Sequence, residues 1–384
     1  MHSNLKRILI VSASIGSGHH QAAQAVARQI AGKHPDAKVH MVDFMSEDNS
    51  YFNTLLKETY LTMLNLSPNM YDFLYRWTHF GRTGSPVQNV LAVVMKKTME
   101  KLIIQYRPQV IICTHPFPCA AAAYLKKTGR IRTTLAAVVT DFTVHRLWVY
   151  PEVDLYFVGT GEMRQELRQQ GIDGWRTHVS GIPISAAFCQ PLHNQAMLQE
   201  LALSPALPTL LIMGGGLGLG GVEQALANLA GCRKPLQIIV VTGHNDKLYN
   251  SLVEYAQNFP QRIRLIGFTQ RIPELMACAD VLITKPGALT ISESLAMQLP
   301  MILFEPIPGQ ERDNAAYIAQ QGAAIWLKDT EQLSATVRRL LNNPQQLQAM
   351  RNAARALQQP HAAVKIVETI TTYQRLHTRS AANL

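Results

Sequence analysis

Short apolar runs separated by longer amphipathic stretches recur along the whole chain. KRILIVSA, AKVHMVD, QVIICTH, TLAAVVTD and DLYFVG mark the first half, and TLLIMGG, LQIIVVTG, RIRLIGF, DVLIT and MILFE the second. Runs of this kind, β-branched and apolar on both faces, predict strands of parallel sheets. The amphipathic stretches between them predict the helices that cover those sheets. Two such series predict two doubly wound α/β units. The length agrees, since 384 residues exceed what one ordinary core organises. The break is expected near SGIPISAAFCQPLHNQ, where Pro183 and Pro191 flank a polar, turn-rich stretch. No short-period repeat or low-complexity tract interrupts the pattern.

The opening MHSNLKRILIVSASIG places Lys6 and Arg7 before a short apolar run, as a signal peptide would. The run is short, and Gly16, Gly18 and a helix-like stretch follow directly, so a first buried strand explains it better. No stretch is long and apolar enough to span a bilayer, so any membrane contact is expected to be peripheral.

Composition narrows the class. Hydrophobic residues make up 47% of the chain and charged residues 16%, which describes a globular protein. The formal net charge of +10 favours anionic partners: nucleotides, anionic lipid or nucleic acid. The charge is uneven, with 20 basic and 13 acidic side chains in residues 1–190 against 16 and 13 in the remainder. Residues 51–80 hold eight aromatics, among them Tyr75, Trp77 and Phe80, and residues 76–132 hold ten Lys or Arg against the single acid Glu100. No nucleic-acid recognition motif accompanies this charge, so nucleic acid is not an expected partner. The five cysteines, Cys113, Cys119, Cys189, Cys232 and Cys278, are widely spaced without a CxxC pair and read as reduced thiols.

Three motifs carry candidate chemistry. SASIGSGHHQAAQAV follows a strand and opens an Ala-rich helix, so Gly16 and Gly18 permit a tight turn at a crevice where ligands bind. His19 stands at the helix start, placed to take a proton near neutral pH; equally, it could cap the helix or line the crevice. IMGGGLGLGG, with Gly215 and Gly216, offers successive backbone amides for an anion but lacks the GK[ST] of a P-loop. KPGALTISESLAMQLPMILFEPIPGQERDNA runs from Lys285 through Gly287 into a helix whose first amides, on Ala288, Leu289 and Thr290, can hold a diphosphate. Glu293 follows one turn later, able to accept from a ribose diol. Gln310 and Glu311 leave the next turn with side chains suited to sugar hydroxyls. A solvated helix cap and loop is the plainer reading of the same residues. No DxD, HExxH or Cys/His cluster is present, so no metal and no cofactor is expected, and charge on a diphosphate falls to amides and Lys285.

These motifs resemble family 28 glycosyltransferases, in the branch of monogalactosyldiacylglycerol synthase and processive diacylglycerol glucosyltransferase. SASIGSGHHQAA is similar to that branch's opening, VVTDFTVHRLWVYPEVDLYFVG to its TDF…H…W…D.YFV segment, and the two later motifs to its donor side, in the same order from Leu5 to Ala324. KPGALT and SESLAMQLP depart from the branch's KPGGLT and SEALAxGLP at Ala288, Ser294 and Gln298. The resemblance implies a GT-B fold, two Rossmann-like domains facing a cleft. Residues 1–185 would take the lipid acceptor and the membrane, 186–358 the UDP-sugar, and 359–384 would form a helix crossing back.

It further implies an inverting single displacement that moves a hexose from UDP-glucose or UDP-galactose to diacylglycerol at the cytoplasmic face of an anionic membrane. In it His19 would act as base, with Asp141 orienting it or acting in its place. Glu293 would meet the ribose, Gln310 and Glu311 the sugar, the backbone at Phe268 the uracil, and Gly243 would line the donor site. Gly18, Tyr75, Trp77, Phe80 and Trp148 would serve the acceptor or membrane side. A transferase of N-acetylglucosamine to a polyprenyl-linked precursor and a nucleotide-sugar 2-epimerase share the frame. A non-catalytic UDP-sugar sensor would keep the donor motifs without turnover.

Overall fold

A computed structural model describes residues 5–13, 17–45, 86–190, 195–215, 221–307 and 309–382. Tertiary contacts divide the chain into two units, Met1–Ser185 with His361–Leu384, and Ala186–Pro360.

The first unit is built on a parallel sheet of β1 (Arg7–Ser12), β2 (Lys38–Asp43), β3 (Val110–Cys113), β4 (Thr134–Val138), β5 (Leu155–Val158) and β6 (Thr177–Val179). Their spatial order is β2-β1-β3-β4-β5-β6, so the order reverses between β1 and β3. Alternation along β1 sends Leu9 and Val11 to one core and Ile8 and Ile10 to the other. Helices α1 (Ser17–Lys33), α2 (Pro86–Tyr106), α3 (Pro116–Lys127) and α4 (Gly161–Gln169) connect the strands.

The second unit carries β7 (Thr209–Met213), β8 (Gln237–Val241), β9 (Arg262–Ile266), β10 (Val281–Thr284), β11 (Met301–Leu303) and β12 (Ala324–Trp326), all parallel. The spatial order is β12-β11-β10-β7-β8-β9, with the reversal between β7 and β10. This is the Rossmann strand order, in which ligands bind beyond the carboxyl ends of the strands at the reversal. Helices α5 (Gln195–Glu200), α6 (Val222–Leu229), α7 (Asp246–Gln257), α8 (Ile272–Ala277), α9 (Ala288–Ala296), α10 (Gln310–Gln320), α11 (Leu333–Leu341) and α12 (Pro344–Leu357) complete it. Val222, Leu226, Leu333, Val337 and Leu340 pack with strand residues Leu210, Ile238 and Ile302 in one core.

The chain ends in α13 (Ala362–Ala382), which belongs to the first unit. Ile366, Val367 and Ile370 are buried with Ile8, Ile10, Val26 and Ile30, each burial worth about 1.5–3 kcal/mol. The His34 ring meets the Thr371 hydroxyl at 3.0 Å, and Gln374 donates to the Thr134 hydroxyl at 2.7 Å. Among the described residues no helix is long and apolar enough to cross a membrane.

Candidate active site

At the first reversal, β1 leads into α1 and His19 becomes its third residue, with Gly18 half-buried beside it. His19 Nδ1 lies 2.9 Å from the Thr114 carbonyl oxygen and 2.7 Å from the Thr140 hydroxyl. A carbonyl only accepts, so Nδ1 carries the proton and Nε2 keeps its lone pair. The Thr140 hydroxyl donates to the same carbonyl at 3.3 Å, turning its own lone pair toward the ring. Thr114 also clamps the backbone, its hydroxyl donating to the His19 carbonyl at 3.0 Å. Burial lowers the His19 pKa to about 4, against a smaller upward pull from the Thr114 carbonyl. The ring is therefore a neutral proton acceptor at physiological pH.

His115 stands edge-on to His19, ring centroids 4.7 Å apart. Its Nδ1 accepts from the Phe117 amide at 3.2 Å and caps α3, so its own proton sits on Nε2. Burial first, and the neighbouring His19 second, hold its pKa well below the ordinary value. His145 repeats the device one strand on, accepting from the Leu147 amide at 3.2 Å to cap the turn Arg146–Trp148. Thr114, Thr140 and His115 were not singled out from the sequence. Their one signal was a polar residue directly after an apolar run, in IICTH and AVVTD. Asp141 follows Thr140 directly and is half-buried.

One expectation needs correction. Trp148, expected on the acceptor or membrane side, is 1% exposed and packed in the core with Val144, Val153 and Tyr156. The Tyr156 hydroxyl lies 3.0 Å from the Trp148 carbonyl, fixing the turn from beneath. A ring so covered reaches no lipid surface. Tyr75, Trp77, Phe80 and Gly216 lie outside the described residues.

At the second reversal, β7 ends beside Gly215 and β10 beside Lys285. Gly215 has φ 76°, in the left-handed region that favours glycine, and a Cβ on it would stand 3.0 Å from Lys285 Cε. Lys285 Nζ pairs with Glu311 Oε1 at 2.6 Å, and Glu311 Oε2 accepts from the Ile307 amide at 2.9 Å. Buried Asn314 donates to the Pro286 carbonyl at 3.3 Å and ties α10 to the turn before α9. Gly287 is the N-cap of α9 and supplies no side-chain bond, so no cap side chain covers the amides of Ala288, Leu289 and Thr290.

Glu293 sits in the second turn of α9, where burial alone raises its pKa to about 8. Its carboxyl is mainly protonated at pH 7 until a partner compensates the charge. Gln310 opens α10, half-buried. Beyond β8 and β9, Gly243 has φ 63°, and the exposed rings of His244 and Phe268 stack with centroids 3.9 Å apart.

Comparison with known proteins agrees with these two halves. The family model for monogalactosyldiacylglycerol (MGDG) synthase matches residues 19–184, and that for the glycosyltransferase family 28 C-terminal domain matches residues 209–368. A processive diacylglycerol beta-glucosyltransferase of Bacillus thuringiensis (strain Al Hakam) is 30% identical over 364 residues, covering 95% of this chain and 93% of its own. Among solved structures, MurG of Acinetobacter baumannii superposes with a TM-score of 0.62 at 18% identity, over 96% of this chain and 99% of its own. MnaA of S. aureus, solved with UDP, does so at 0.65 and 13%, over 97% and 98%. At such identities the two structures show the fold alone, the two Rossmann-like halves of GT-B.

Proposed function

The chain belongs to the family 28 glycosyltransferases related to monogalactosyldiacylglycerol synthase, and we propose that it moves a hexose from UDP-glucose or UDP-galactose to diacylglycerol. It is a UDP-sugar-dependent glycosyltransferase. The observation that carries the reaction is the tautomer of His19. With the proton on Nδ1 held by Thr114 and Thr140, Nε2 is left to accept one.

An alcohol is a poor nucleophile at neutral pH and needs a proton acceptor in the transition state. His19 Nε2 takes the proton from the acceptor hydroxyl, whose oxygen bonds to the anomeric carbon as the bond from that carbon to UDP breaks. Attack opposite the leaving group inverts the centre. UDP departs as an anion, and the amides of Ala288, Leu289 and Thr290 with Lys285 and backbone at Gly215 and Gly216 receive its charge. Glu293 accepts from the ribose diol, Phe268 and Gly243 border the uracil, and Gln310 and Glu311 lie toward the sugar. Residues 1–185 then serve the acceptor and 186–358 the donor.

The lipid acceptor has to be met at a membrane. The aromatic run of residues 51–80 and the basic excess of residues 76–132 support peripheral attachment at the cytoplasmic face, each Lys or Arg near an anionic surface adding about 1 kcal/mol. Sedimentation with vesicles is expected to rise with anionic lipid and fall with salt; equal sedimentation with neutral vesicles would remove the electrostatic part.

The function itself is tested by incubating the protein with diacylglycerol vesicles and each of radiolabelled UDP-glucose, UDP-galactose and UDP-N-acetylglucosamine. The expected product is a lipid carrying hexose, and counting sugars per lipid says whether transfer repeats. Transfer of N-acetylglucosamine alone, or none to lipid, would overturn the reading.

A further inference from the structure

Among the described residues four that are not glycine have positive φ: Arg107 (43°), Ala202 (49°), Gln298 (52°) and Glu305 (43°). Arg107 directly follows α2, and Ala202 and Gln298 stand two residues beyond the ends of α5 and α9, where one left-handed residue commonly ends a helix. Glu305 follows a strand, β11, through Phe304, and no helix end accounts for it. A glutamate held there is strained, and such strain persists where the surroundings impose it, most often at ligand sites.

The side chain shows what the strain accomplishes. It lies against Gly221, where a Cβ would clash with Glu305 Oε2 and Cδ. Gly221 has φ 52° and is the N-cap of α6. Glu305 is exposed, and among the described residues its carboxylate has no hydrogen-bond or ion-pair partner. Glu311, six residues on, is the opposite case: Lys285 holds one oxygen and the Ile307 amide the other. The carboxylate expected to meet the sugar is thus engaged with its own protein, while the one left open in the same turn is Glu305.

Strand order then orients the donor. Phe268 follows β9, Gly243 follows β8, Gly215 follows β7, Lys285 follows β10 and Glu305 follows β11, and these strands lie side by side in that sequence. With the base over β9 and β8 and the diphosphate over β7 and β10, the sugar comes to β11. A carboxylate repels phosphate and accepts from hydroxyls, which are what a hexose presents.

We propose that Glu305 reads the hydroxyls of the donor hexose and that its left-handed backbone is the consequence of aiming it there. The inference rests on the UDP-sugar reading above. Titration calorimetry with UDP, UDP-glucose and UDP-galactose on the wild type, Glu305→Gln and Glu305→Gly separates the two. Expected are UDP affinities within about twofold across the three proteins, and a loss of about tenfold for the preferred UDP-hexose in both variants, as for one lost charged hydrogen bond. Glu305→Gly should melt no lower than the wild type, because glycine accepts this φ without strain. UDP-hexose affinity unchanged in both variants, or UDP affinity lost alongside it, would overturn the inference. A wild type that binds neither UDP nor UDP-hexose would overturn the donor reading itself.

Discussion

At the end of β1 the chain enters α1 and sets His19 beside Thr114, the residue after β3. At the end of β7 it turns through Gly215 and sets that glycine against Lys285, the residue after β10. Both places are where a parallel sheet reverses its strand order, yet they are filled with different chemistry. The first gathers neutral groups. His19 and His115 are both held uncharged by burial and satisfied by a carbonyl, a hydroxyl and an amide. The second gathers charge, in Lys285, Glu311 and Glu305, with Glu293 nearby poised to ionise.

An imidazole adapts to burial by giving up its proton and so becomes a base. A diphosphate has no such escape, and its site must supply cations and free amides. On the proposed function, one scaffold would serve proton transfer at the first site and anion binding at the second, according to whether desolvation is left uncompensated.

His19→Ala bears hardest on the first site. General-base catalysis is worth about 10²–10⁴-fold, and turnover should fall by that amount with UDP affinity nearly kept. Wild-type kcat at saturating lipid with a raised KM would make the first site a lining, not a base, and would move that role to Asp141.

Trp148→Ala probes the ground beneath the same site. Removing a buried tryptophan should destabilise the first unit by about 3–5 kcal/mol, read from urea unfolding. Loss of vesicle binding without loss of stability would restore the membrane role withdrawn above.

The second site is tested by pH. Glu293 is protonated below about 8 in the free protein, so the ribose contact proposed for its carboxylate would release a proton. UDP affinity should therefore rise from pH 6 to pH 8, and calorimetry in buffers of different ionisation enthalpy should detect the proton. The sign for stability is opposite. The folded state holds a proton that the unfolded chain, with an ordinary value of 4.5, has released, so donor-free stability is lost as pH rises from 4.5 through about 8. Glu293→Ala should flatten the affinity profile and weaken UDP by about 1–3 kcal/mol. A profile as steep in the variant would assign the proton elsewhere.

The smallest effect belongs to Thr140→Val, which removes one of two acceptors at Nδ1. A fall in kcat of about tenfold, with donor KM unchanged and recovery in Thr140→Ser, would make Thr140 a positioning residue. Wild-type kcat in the valine variant would leave Thr114 alone in that role.

The periodicity of apolar runs is enough to foresee ten of the twelve strands among the described residues, because a parallel strand buried on both faces writes a continuous hydrophobic run. β6 and β12 are edge strands of three residues with only the first buried, so they write no continuous apolar run and were missed, whereas the equally short β11 is buried throughout. His19 was legible from GSGHH because the strand, the turn and the helix start are adjacent in the chain. The donor helix was legible for the same reason, since KPGALT carries its own turn and its own free amides.

Strands, helices and local turns follow from neighbours a few residues apart and are legible in the chain. Which strand ends meet depends on the assembled sheets. Thr114 and Thr140 lie 95 and 121 residues from His19, and the tautomer they impose exists only when β1, β3 and β4 stand side by side. Burial, too, is a property of the assembled sheet. It turned Trp148 from a surface candidate into core, raised Glu293 and lowered His19. Glu311 is closed by Lys285, 26 residues back at the end of another strand, while Glu305 is left open, because hydrogen bonds between separate segments form only after the strands have chosen their order.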